Sequence, residues 1–186
     1  MKYILGIVTC LLINFFCFAD DSKHEHHHKE NNTNKEKKKS IKAHQHGLSK
    51  LNIVQEDNSI LFEFAMPGYD VVGFEYKAKK KVDVQKVKKA ISIMSNSENM
   101  IKLSNKAECK NESSFADIII EGSHTEFVSK YILKCNNVSK LAAIKIKFFD
   151  SFKFSEKLET TLITNKKKAS FSNNLSNNVL NVDGFF

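Results

Sequence analysis

From Asp20 to Ala43 the only large apolar side chain is Ile41, and the surrounding positions are His, Lys, Glu, Asp, Asn, Ser and Thr. Such a stretch cannot bury enough surface to offset the entropy of ordering it, so residues 20–43 are expected to be a disordered His/Lys-rich segment. The character then changes sharply. Leu48 to Val54 alternates, and after Glu56-Asp57-Asn58-Ser59 a second run carries Ile60, Phe62, Phe64 and Met66, which reads as two strands of a hairpin. Pro67, the sole proline, and Gly68 close the second strand. A folded core can therefore begin only near residue 44.

Downstream, Val82 to Met94 places Val84, Val87, Ile91 and Met94 at helical spacing with lysines opposite, and predicts the main helix. The segment Glu98 to Leu103 fits either state. The runs Phe115 to Glu121, Glu126 to Cys135, Leu141 to Phe149 and Leu158 to Thr164 are rich in Ile, Val, Phe and Thr and read as strands, with a last short one at Asn178 to Val182. Strands, one helix and further strands predict a single α+β domain over residues 44–186, built on a mostly antiparallel sheet with one main helix at about 82–94.

The apolar run Ile4 to Phe18 follows Lys2 and ends in Cys17-Phe18-Ala19, the pattern of a signal peptide spanning residues 1–19. It is shorter than the roughly 20 apolar residues a spanning helix needs, so an exported protein without stable membrane insertion is expected. Removal of that segment takes Cys10 and Cys17 with it. Cys109 and Cys135 remain, and an even pair in an exported chain reads as a disulfide.

The net charge is +8, and every basic residue is lysine. Without arginine the chain lacks the planar fork that recognises guanine and phosphate, which argues against specific nucleic-acid binding. No nucleophile elbow, phosphate-cradling glycine loop or helical H-E-x-x-H is present, so no enzymatic activity is expected. The run Lys77 to Lys81 reads as a solvated loop.

Six of the seven histidines lie between residues 24 and 46. If the first strand reaches back through His44-Gln45-His46, both imidazoles project from one face about 6.5–7 Å apart at Cα, within reach of one ion. Imidazole is a good ligand for zinc and copper. His124 opens a later strand with Glu126 two residues on, and suitable pairing would let both complete the shell. The competing reading leaves these histidines solvated at the domain's edge. His24, His26, His27 and His28 would gather metal weakly and unselectively, as a mobile collector.

Several ordered motifs resemble one family. They are "HQHG" before an alternating strand; "LFEFAMPGYDVVGFE"; a cysteine before the middle strands; "HTEFVSKYILKC"; and "LAAIKIKFFDSF". Together they span about residues 44–164 and resemble the bacterial zinc-regulated periplasmic zinc-binding proteins, ZrgA-like. The resemblance implies a periplasmic protein that binds Zn2+ and assists zinc acquisition, working with components of a zinc ABC importer. It carries over onto His44, His46 and His124, with Glu75 as a further ligand or a group that orients an imidazole. The family often has His after "GFE", where this chain has Tyr76. Two alternatives stay open: sequestration of copper, nickel or another divalent transition metal, and an envelope protein-interaction module in which the histidines are incidental.

Overall fold

The computed structural model describes residues 45–186. The expected signal peptide, the segment 20–43 with His24, His26, His27 and His28, and His44 all lie outside the described residues. In chain order the elements are β1 (Leu48–Glu56), β2 (Ser59–Pro67), α1 (Gly68–Val72), α2 (Lys81–Met94), β3 (Ile101–Leu103), β4 (Cys109–Glu121), β5 (His124–Cys135), β6 (Ala143–Ile146), α3 (Phe148–Ser151), β7 (Lys157–Ile163), β8 (Lys168–Asn173) and β9 (Val179–Asn181). The chain is mostly β-sheet with few helices. Six strands form one sheet in the order β4-β5-β2-β1-β7-β8, and three form a smaller one, β3-β6-β9.

The larger sheet follows from period-two burial. Leu51 and Ile53 of β1 pair with Phe64 and Phe62 of β2, and all four are buried together with Ile60 and Met66. β5 adds Phe127 and Tyr131 to that face, in register with Met66 and Phe62. Each such side chain stabilises by about 1.5–3 kcal/mol on burial. This shared face, rather than helix propensity, holds the domain. Helix α2 has Lys80 and Lys81 at its positive end and no side-chain cap, both unfavourable for an isolated helix. It is held instead by burial of Ala90 and Met94 and by the Tyr131 hydroxyl, which donates to the Met94 carbonyl. Among the described residues no helix is long and apolar enough to cross a membrane.

The observed hairpin and main helix match the sequence expectation closely, and the pairing is antiparallel except for β1 with β7. Three elements differ. The strand expected over Leu141 to Phe149 ends at Ile146, because Phe148, Phe149 and Phe152 are all buried and only a helical turn sends all three inward. β4 begins at Cys109, six residues ahead of the expected Phe115; after Cys109 its first half, "CKNESS", is exposed and polar and is recruited by backbone pairing to β5 rather than by apolar burial. β8, in a Lys/Ser/Asn-rich stretch where the sequence reading placed no strand, is an edge strand joined to β7.

Cys109 and Cys135 lie directly opposite in the β4–β5 ladder and form the disulfide. Their sequence separation is 26. For a loop of that size chain entropy predicts a stabilisation of about 2–4 kcal/mol. Replacing both cysteines with alanine is expected to lower the urea-unfolding free energy by that amount. An unchanged midpoint would mean that the hairpin ladder already supplies the whole constraint.

Candidate metal centre

Three chain segments meet at one end of the larger sheet: the turn before β1, the loop after α1, and the start of β5. The ladder brings β2 and β5 together there, with Pro67 opposite Glu126. Gly68 fits against β5 because it has no side chain; a Cβ at this position would stand 2.1 Å from Thr125 Oγ1 and 2.7 Å from the Phe74 carbonyl. α1 runs for five residues and stops at Gly73, whose N–H still reaches the Tyr69 carbonyl at 2.9 Å and whose φ of 82° takes the following chain out of the helix. That left-handed residue turns the chain so that Glu75 returns towards the sheet end.

The carboxylate of Glu75 sits between two imidazoles. His46 Nε2 lies 3.1 Å from Oε1, and His124 Nδ1 lies 2.9 Å from Oε2. The Glu75 side chain is 15% exposed, whereas those of His46 and His124 are 56% and 60% exposed. Burial pushes the Glu75 carboxyl up, but the hydrogen bond from His124 and the close approach and charge of both imidazoles outweigh it, and the net effect holds the group below its ordinary value. Oε1 is buried and has no partner in hydrogen-bonding geometry despite its closeness to His46. A buried carboxylate oxygen with an unmet lone pair is suited to accept a cation.

The neighbours of Glu75 are tied elsewhere. Phe74 and Tyr76 stack on each other at 4.6 Å, and the Tyr76 hydroxyl donates to Asp83 Oδ2 at 2.9 Å. Tyr76, where the resembling family often has His, thus braces the loop that carries Glu75. On the other side, the His46 ring stacks on Tyr69 with centroids 4.6 Å apart and planes 14° from parallel.

The turn bearing His46 is fixed from beneath by Asp70. This carboxylate is wholly buried and accepts the Gly47 N–H at 2.7 Å and the Ser49 hydroxyl at 2.8 Å, while Ser155 donates to the Ser49 oxygen at 3.3 Å. Burial raises the Asp70 carboxyl above its ordinary value, opposed by the bonds from Ser49 and Gly47. The Gly47 carbonyl accepts from Glu156 and Lys157 at 2.9 and 2.8 Å.

Of the residues singled out from sequence, the structure brings His46, His124 and Glu75 into contact. Glu126 is half-buried on the same face of β5 as His124. His46 does not continue the first strand: residues 46 and 47 form a turn, with Gly47 at φ 80° and the Leu48 N–H on the Gln45 carbonyl at 3.2 Å. The same-face geometry expected of an extended His44 and His46 therefore does not apply to His46. Asp70 and Tyr69, which meet the His46 turn and the His46 ring, were not legible as such from the sequence. The one available signal was a lone acid, Asp70, inside the otherwise uncharged run "PGYDVVGF".

Two zinc ligands at about 2.0–2.1 Å in a tetrahedral shell are about 3.3–3.4 Å apart. The imidazole-to-carboxylate distances of 2.9 and 3.1 Å fall a few tenths of an ångström short of that edge. Among the described residues no group of three or more His, Cys, Asp or Glu converges into a finished metal cage. The two exposed imidazoles would have to swing outward for an ion to enter. Two nitrogens and a carboxylate oxygen are a donor set that zinc accepts, so the chemistry fits while the geometry is that of a closed, carboxylate-bridged pair.

A family model described as "ZrgA family zinc uptake protein" matches residues 43–182. No curated protein matches the chain. Because the Glu75 carboxyl titrates below its ordinary value, its pairing contributes stability that is present above the unfolded carboxyl pKa and lost as pH falls through the folded one. Screening at the two exposed imidazoles keeps the contribution below about 1 kcal/mol. Urea unfolding of metal-free protein and its Glu75→Gln variant should show a deficit in the variant that closes as the solution is acidified below the ordinary glutamate value of 4.5. A deficit that widens on acidification contradicts the pairing.

Proposed function

The chain belongs to the ZrgA family of zinc uptake proteins, and on that premise we propose that it is an exported, periplasmic protein that captures Zn2+ as cargo and is not an enzyme. The observation that carries the proposal is the Glu75 carboxylate, partly buried, clasped by His46 and His124 from distant parts of the chain, with one oxygen unmet. Zinc replaces the hydrogen-bonded proton as the group holding the imidazoles to the carboxylate. His44, two residues before His46, and Glu126, on the His124 face of β5, are the candidates for a fourth ligand.

A site of this kind suits cargo better than a permanent structural ion. Its imidazoles lie on the surface, and they already have a partner, Glu75, to return to when the metal leaves. The segment 20–43, with His24, His26, His27 and His28, raises the local metal concentration without defining a geometry. A zinc ABC importer is the natural recipient. Copper binds most nitrogen sites more tightly than zinc, so selectivity in the envelope depends on metal supply and on the carboxylate.

Calorimetric titration separates these parts. Residues 20–186 and a form lacking residues 20–43 are both expected to keep one tight site, the shorter form losing only weak capacity. His46→Ala, His124→Ala and Glu75→Ala should each weaken the tight site at least about tenfold, or about 1.4 kcal/mol. Binding is also expected to fall on acidification as the imidazoles take up protons. If the shorter form binds no tighter than about 100 μM, near −5.5 kcal/mol, the ordered site is wrong.

A further inference from the structure

We infer that Asp70 is a positioning residue for zinc capture: without touching the ion, it aims His46 by holding the Gly47 N–H. The inference rests on the zinc site proposed above and extends it to a group that no sequence motif nominates. Asp70 cannot itself be a ligand in this arrangement. It is 0% exposed, and its two oxygens are taken by Gly47 and Ser49.

Its effect on His46 follows from covalent geometry. The Gly47 N–H lies in the same rigid peptide plane as the His46 carbonyl, so fixing that N–H fixes ψ of His46 and with it the direction in which the imidazole leaves the chain. On the far side of Gly47 the carbonyl is held by the N–H groups of Glu156 and Lys157. Both peptide planes of this glycine are thus pinned, at a φ of 80° that other residues adopt at a cost. The residue preceding Asp70 completes the control: Tyr69 stacks on the His46 ring, so successive residues of α1 set the backbone and the ring of one ligand.

A wholly buried carboxylate is an expensive way to satisfy one serine and one amide. Its retention makes sense where strong, charge-assisted orientation of a ligand-bearing turn is needed. Released from Asp70, the turn would have to be ordered by zinc itself on binding. Loss of partners that orient metal ligands typically weakens metal affinity about 10–100-fold.

The test uses residues 20–186 and zinc competition against a chromophoric chelator, with thermal midpoints recorded in parallel. Asp70→Ala, which removes the acceptor that an asparagine oxygen would retain, should weaken zinc binding about tenfold or more. Ser49→Ala, which leaves the Gly47 bond in place, should leave zinc affinity near wild type. In a His46→Ala background Asp70→Ala should have no further effect on zinc, although its effect on the midpoint persists. If the His46→Ala chain binds too weakly to measure, the ring 15N resonances of metal-free protein answer the same question: Asp70→Ala should shift those of His46 more than those of His124. Equal zinc losses in both backgrounds, a Ser49→Ala loss as large as that of Asp70→Ala, or a 15N response no larger at His46 than at His124 would overturn the inference. Failure of the wild-type chain to bind zinc, or wild-type affinity in His46→Ala, would instead remove the site on which it rests.

Discussion

The register of β2 between β1 and β5 is the constraint on which the site depends. Side chains alternate faces along a strand, so a slip of one residue in β5 would carry His124 to the core side and bring Thr125 or Ser123 to the site in its place. The register is held by the buried pairs Phe62–Tyr131 and Met66–Phe127, while the Cys109–Cys135 bridge fixes β4 against β5. The exposed imidazole of His124 is therefore placed by apolar packing along the whole strand. At the site itself the sequence needs only a residue that can face outward.

The second placement device is the short segment from Pro67 to Glu75. Gly68 allows it to lie against Thr125, Gly73 turns it back, and between them Tyr69 and Asp70 reach the His46 turn. Nine consecutive residues thus connect all three site segments. The result is a carboxylate bridging two imidazoles, a closed arrangement in which proton and metal compete for the same nitrogens and the same oxygen. Under the proposed cargo role that competition is useful: the metal-free state keeps the imidazoles and the carboxylate close without an empty, repulsive cavity.

Much of this was legible in the sequence, for physical reasons that can be named. The hairpin shows apolar alternation over most of its length, β5 is rich in Val, Ile, Phe and Tyr, and α2 shows a helical period, because each buries one face. His46, His124 and Glu75 could be nominated because imidazole and carboxylate are metal-binding types, and the ordered motifs tied them to one family. Apart from Cys109, β8 and the first half of β4 gave no strand signal, since edge strands held mainly by backbone bonds need no apolar pattern. Asp70 was equally silent. Its importance comes from a bond to a backbone amide 23 residues away, and no side-chain pattern encodes such a partner.

X-ray absorption at the zinc edge of the loaded protein addresses the central claim most directly. The account predicts a first shell of nitrogen and oxygen only, at about 2.0–2.1 Å, with outer-shell scattering from at least two imidazoles that drops by one in His124→Ala. A sulfur contribution near 2.3 Å, or an imidazole count unchanged by that substitution, would contradict it.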